Sequence, residues 1–126
     1  MSWQSYIDSH LLGSGKISRA AILGQQGGVW AASPGFELST DEQQAITEAH
    51  NNPEHTLSSG LKLAGEKFFS LSANPRSIYL RNGTGGASVV KTKQAIIVAE
   101  YAVPLQSGEA TPVVESLADY LISGGY

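Results

Sequence analysis

Between Leu61 and Tyr101 the chain alternates short apolar segments with tight turns, and that rhythm restricts the fold more than any other feature. The segments are Leu61–Leu63, Lys67–Leu71, Ser77–Leu80, Ala87–Lys91 and Ala95–Tyr101, separated by Ala64-Gly65, Asn74-Pro75, Asn82–Gly86 and Lys93-Gln94. Connections this short join consecutive strands only in antiparallel pairing, because a parallel crossover needs a much longer path. Ile17–Leu23 and Val29–Ala32 flank the turn signal Gly24–Gly28 and read as a further hairpin, with Trp30 in its second strand. Helical patterning lies elsewhere. Ser2 can cap a helix in which Trp3, Ile7, His10 and Leu11 share a face, with Tyr6 at its margin and Gly13-Ser14-Gly15 as its stop. Ser39 and Glu42 form a capping box that opens a second helix, ended by Asn51-Asn52-Pro53. Ser107–Ser123 carries an apolar arc of Val113, Val114, Leu117, Ala118 and Leu121, with Tyr120 at its edge. Gly124-Gly125 ends that helix and leaves Tyr126 free to fold back. This order of elements is α+β: one antiparallel sheet with the terminal helices on a face.

A length of 126 residues fits one domain spanning 1–126, and 41% hydrophobic with 15% charged residues describes a soluble globule rather than a disordered chain. No apolar run is long enough to span a bilayer, and Met1-Ser2-Trp3-Gln4 begins no signal peptide. The absence of cysteine excludes disulfides and thiolate chemistry and suits the cytosol. A net charge of −3 argues against nucleic acid as a partner.

No catalytic constellation emerges. Gly13-Ser14-Gly15-Lys16 has His10 and Ile17 where a phosphate-binding loop needs Gly and Ser or Thr, and no strand precedes it. His10, His50 and His55 lack metal-ligand spacing, and solvated histidines are expected. No serine sits in a nucleophile elbow, so a small hydrolase has nothing to work with. Asn82-Gly83-Thr84, formally a glycosylation sequon, reads as a hairpin turn. Arg76, Arg81, Lys91 and Lys93 could meet an acidic protein surface or lipid headgroups, or simply solvate a sheet face. The aromatics say more. Trp3 and Tyr6 near one end, Tyr120 and Tyr126 near the other, and Trp30 could together form a ridged apolar surface for an extended, proline-rich peptide.

Several blocks resemble the profilin family along essentially the whole chain. They are Met-Ser-Trp-Gln-Ser-Tyr-Ile-Asp at 1–8, Ala20-Ala21-Ile22-Leu23-Gly24 with Val29-Trp30-Ala31, Gly60–Lys67, Gly108-Glu109-Ala110, and Leu117-Ala118-Asp119-Tyr120-Leu121. Length and the Ala-Asp-Tyr-Leu ending look most like fungal members. The resemblance implies a central antiparallel β-sheet with N- and C-terminal helices on one face and smaller helices on the other. It implies a monomeric, cytoplasmic, cytoskeleton-associated regulator of filament assembly, without cofactor or enzymatic activity. Such a protein binds monomeric actin, proline-rich proteins such as formins, and phosphoinositides. Carried over residue by residue, the proline groove comprises Trp3, Tyr6, Trp30, Tyr120, Leu121 and Tyr126. The actin face includes Arg81 and Gly108, with Arg76, Lys91 and Thr111 as neighbours. Pro112 departs from the pattern, since many relatives carry Lys there. If the last helix begins at Ser107, Pro112 removes a backbone hydrogen bond; if Thr111 caps the helix, Pro112 sits at its first position without that cost. The alternative implied by this departure is a proline-peptide adaptor with weakened or lost actin affinity.

Overall fold

The computed structural model describes residues 2–126. Its strands are β1 (Arg19–Gly24), β2 (Val29–Ala32), β3 (Leu61–Leu63), β4 (Glu66–Ala73), β5 (Ser77–Asn82), β6 (Gly85–Lys91) and β7 (Ala95–Tyr101). They form a 7-stranded sheet in the order β2-β1-β7-β6-β5-β4-β3, antiparallel at every pairing. The expected meander therefore runs from β3 to β7, and the β1–β2 hairpin joins it along β7. Turn chemistry fixes the register. Leu63 pairs with Glu66 across Ala64 and Gly65, whose φ values of 52° and 84° are those of a type I′ turn. Asn82 pairs with Gly85 across Gly83-Thr84, and a φ of 61° at Gly83 with none positive at Thr84 suits type II′. The Asn82 sequon is thus a hairpin turn.

The N-terminal helical segment departs from expectation. Its first part, α1 (Trp3–Ser5), is a single turn on which the Ser2 hydroxyl accepts the Ser5 N–H at 3.1 Å. A π-helical stretch follows over Tyr6–Leu11, then a 3-10 turn over Leu12–Ser14 that ends on left-handed Gly15. The Leu12 N–H reaches back to the Ile7 carbonyl, five residues away, and this widened turn lets Tyr6, Ile7 and Leu11 all lie buried. Tyr6 is consequently deeper than the margin position that a regular helix gives it.

Helix α2 (Thr40–Ala49) has the expected capping box. The buried Glu42 carboxylate accepts the Ser39 N–H at 2.9 Å, and also the Ala64 and Gly65 N–H groups at 3.1 and 2.7 Å. One side chain thereby ties the start of α2 to the β3–β4 turn. Helix α3 (Pro53–Ser59) was unexpected: Pro53 starts it at a position where its missing N–H costs nothing, and Asn52 caps it. Its neighbour His50 is buried rather than solvated.

Helix α4 (Ser107–Ser123) has the expected bounds, with Pro112 inside it. Thr111 is therefore not a cap; its hydroxyl lies 3.3 Å from that of Ser88. The Gly108 carbonyl meets no N–H four residues on, because proline has none. Strand alternation divides the apolar side chains between two cores. Ile22, Val90 and Ile97 pack with Ile7, Leu11, Val114, Leu117 and Leu121 from the terminal helices. Leu23, Val89, Ile96 and Val98 pack oppositely, with Phe36, Ile46 and Phe68. The terminal helices thus share one face and α2 takes the other.

Candidate functional site

The two ends of the chain meet in an aromatic row. The Trp3 ring lies 4.9 Å from Trp30, 5.8 Å from Tyr6 and 5.8 Å from Tyr126, the last edge-on. Tyr6 continues to Tyr120 at 6.2 Å and to His10 at 5.4 Å, and His10 stacks on Tyr120. Trp30, Tyr120 and Tyr126 keep 41%, 57% and 47% of their surface exposed, so the row is open along one side. Burial, reinforced by the nearby Tyr120, raises the pKa of the Tyr6 hydroxyl above its ordinary value.

Local backbone devices aim these rings. Ile22 pairs with Ala31 but Leu23 pairs with Val29, which leaves Trp30 as the extra residue of a β-bulge. The bulge turns the indole onto the backbone of Gly24, where a Cβ would stand 2.7 Å from the ring. Tyr126 is held from three sides. Its N–H donates to the Leu121 carbonyl at 2.8 Å, and its carbonyl accepts Thr92 Oγ1 at 2.8 Å and the Gln94 N–H at 2.5 Å. The expected fold-back at Gly124-Gly125 thus has a definite anchor. Leu121, expected in the groove, is only 1% exposed and belongs to the core beneath it.

The second candidate surface lies toward the opposite edge of the sheet, five strand spacings or roughly 24 Å from β2. Gly108 and Thr111 line a cavity of about 380 Å³ with Leu71, Tyr79 and Tyr101. Beside it Phe69 and Leu71 on β4 are 67% and 56% exposed, and Phe69 pairs directly with Arg81. Leu71 is itself a bulge residue, skipped between Ser70 and Ser72. Sequence reasoning missed both apolar residues, because strand alternation does not reveal where helix coverage ends.

The expected basic face does not assemble. The Arg76 guanidinium bonds Glu115 and Asp119 at 3.0 and 2.8 Å, and these bonds hold its pKa above the ordinary value. Glu115 also accepts from Ser77 Oγ at 2.7 Å and from the Tyr79 hydroxyl. Lys91 ends β6, five residues and roughly 17 Å along it from Gly86, the partner of Arg81. Lys93 lies past β6 in the expected turn to β7. Pro112 also leaves the Gly108–Thr111 cavity and lines a separate cleft facing His10.

The family model described as Profilin matches residues 1–126. Profilin-1A of Acanthamoeba castellanii is 44% identical over the full length of both chains. This chain belongs to the profilin family. The crystal structure of the Schizosaccharomyces pombe profilin is similar at 44% identity with a TM-score of 0.97, covering 99% of this chain and 100% of that one. The amoebal and fission-yeast proteins are equally similar, so the expected fungal likeness is shared with amoebal profilins. A more distant profilin, mouse IIa, has 22% identity and a TM-score of 0.82 over both full chains. That protein was solved in complex with a double repeat from the FH1 domain of mDia1. The profilin fold expected from the resemblance, with its seven antiparallel strands and helices on both faces, is the fold this chain adopts.

Proposed function

We propose that this profilin is a single-domain, non-enzymatic, monomeric adaptor of the cytoplasm, which holds an actin monomer on the β4–β6 face and a proline-rich segment in the aromatic row. The row carries the reading. Neighbouring centroids 4.9 to 6.2 Å apart match about two residues of a polyproline II helix, which rises about 3.1 Å per residue. Such a ligand is preformed and loses little entropy on binding, while indole and phenol tips can donate to its unpaired carbonyls. Formins and other carriers of proline runs are the partner class that fits.

Toward the other edge of the sheet, exposed Phe69 and Leu71 beside Arg81 and the Gly108–Thr111 cavity offer an apolar contact with a cation at its rim. That combination suits an actin surface carrying acidic groups, and it speaks against the reading in which actin affinity is lost. Phosphoinositide headgroups are not part of the proposal, because Arg76 is ion-paired and Arg81 and Lys91 stand apart. Titration with fluorescently labelled actin monomer tests the actin half. Saturable binding weakened at least about tenfold by Arg81→Glu is expected. No binding by the wild type would overturn the actin half, and equal binding by both proteins would remove Arg81 from the interface.

A further inference from the structure

Packing alone does not hold the Tyr126 ring in place. Tyr126 is 47% exposed, and among the described residues its ring pairs with that of Trp3 only, edge-on at 5.8 Å. Gly125, with a φ of 89°, ends α4 in a Schellman turn. Its N–H donates to the Ile122 carbonyl at 3.0 Å, and the Tyr126 N–H to the Leu121 carbonyl at 2.8 Å. Those bonds fix the Tyr126 nitrogen but not rotation about its N–Cα bond. The carbonyl carbon and Cβ turn together about that bond, so whatever holds the carbonyl also aims the ring. We propose that Thr92 is a positioning residue of the groove: its hydroxyl grips the Tyr126 carbonyl and sets the ring beside Trp3 before a ligand arrives. The proposal rests on the proline-binding reading of the row.

Three features of Thr92 support that role. It is only 6% exposed, so water is poorly placed to take over its bond. Its oxygen accepts the Ala95 N–H at 3.0 Å, and its one proton has the Tyr126 carbonyl at 2.8 Å and the Ala95 carbonyl at 3.2 Å; the shorter bond goes to Tyr126. The Gln94 N–H also donates to the Tyr126 carbonyl, but any residue except proline supplies such a donor. The hydroxyl is therefore the part of the grip that depends on side-chain identity. The turn presenting it is itself braced. Gln25 Nε2 donates to the Thr92 carbonyl, and the Gln25 N–H to the Gln94 carbonyl at 3.0 Å. The β1–β2 connection leading to Trp30 and the residue carrying the Tyr126 ring are thus both registered on the β6–β7 turn. Ordering a tyrosine beyond two glycines costs conformational entropy, and this grip places that loss in folding rather than in binding.

Calorimetric titration of a proline decamer into a double-mutant cycle tests the role, with urea unfolding confirming that each variant is folded. Thr92→Val keeps the side-chain shape and removes the hydroxyl, and it should weaken binding about fivefold; Thr92→Ser, which keeps the hydroxyl, should bind within about twofold of the wild type. Tyr126→Ala should cost about tenfold in the wild type but less than about threefold in Thr92→Val, where the ring is already misplaced. Tyr120→Ala, whose ring does not pair with that of Tyr126, should cost the same factor in both backgrounds. If Thr92→Val does not fold, Thr92→Ala takes its place in the cycle. Equal binding by the wild type and the variant lacking the hydroxyl would overturn the positioning role. So would a loss in Thr92→Ser as large as in Thr92→Val, or a Tyr126→Ala cost that is the same in both backgrounds. A Tyr120→Ala cost that shrinks as much as that of Tyr126→Ala would mean a general loosening of the groove and would also overturn it. If the decamer fails to bind the wild type, the proline-binding reading itself falls, and the role of Thr92 with it.

Discussion

A methyl group at position 24 would stand 2.7 Å from the indole of Trp30. Gly24 does not have a positive φ, so alanine there is acceptable to the backbone and the nearest conflict is with the ring. Gly24→Ala should therefore push Trp30 out of the row and lower affinity for a proline decamer about tenfold or more, read by tryptophan fluorescence; unchanged affinity would mean that Trp30 is not a contact. His50 offers a second test at this scale. Its Nε2 lies 3.1 Å from the Val89 carbonyl, which can only accept, so the proton sits on Nε2; Nδ1 has no partner among the described residues. Burial foremost, and the Lys91 charge further, hold its pKa below the ordinary 6.5, against the opposing effect of the Val89 carbonyl. The unfolded chain then takes up the proton first as pH falls, so the contribution is intact above 6.5 and is lost from there down through the lowered folded value. Urea unfolding at stepped pH should show wild-type stability falling over that window more steeply than that of His50→Gln; parallel curves would contradict it. Neither residue could be read from sequence. A tryptophan in a β-bulge looks like any strand tryptophan, and a histidine beside Asn51-Asn52-Pro53 gives no sign that its ring will lie buried against Val89 of β6.

Among the elements, the strands were the most legible, because turn chemistry and alternation act over a few residues. Val29–Ala32 and Ala95–Tyr101 have the expected ends, the Ala64-Gly65 turn lies where expected, and the expected Asn82–Gly86 turn narrows to Gly83-Thr84. Helices depended more on tertiary context. Pro53 was read as a terminator although proline also starts helices, and the N-terminal segment widened into π geometry to bury Tyr6 as well as Ile7 and Leu11. The capping box at Ser39 was legible; the reach of its Glu42 to the β3–β4 turn was not, because that bond joins residues 22 and 23 positions apart. Glu42→Ala leaves the Ser39, Ala64 and Gly65 N–H groups without their acceptor. The expected loss is about 2–4 kcal/mol, seen as a lower urea midpoint at unchanged slope. A loss below about 0.5 kcal/mol would mean that water takes over these donors.

At the scale of the molecule, β2 with Trp30 and β4 with Phe69 lie five strand spacings, roughly 24 Å, apart, while α4 contributes to both candidate surfaces, Thr111 to one and Tyr120 to the other. The family resemblance implies both, and the structure brings the five expected rings together, while Leu121 lies in the core. The basic half changes character, from a set of cations to an exposed Phe69–Leu71 ridge beside Arg81. The reason is physical. Ring positions near the chain ends follow from helix and strand periodicity, whereas the state of Arg76 depends on Glu115 and Asp119, 39 and 43 residues away on another element. The central claim is that rings from both ends of the chain form one proline-binding groove, and Trp3 touches three of the others. Calorimetric titration of a proline decamer into the wild type and Trp3→Ala, with circular dichroism confirming that the variant is folded, tests it most directly. A loss of about 2 kcal/mol or more, roughly thirtyfold in Kd, is predicted. Equal affinity in a folded Trp3→Ala would contradict the groove.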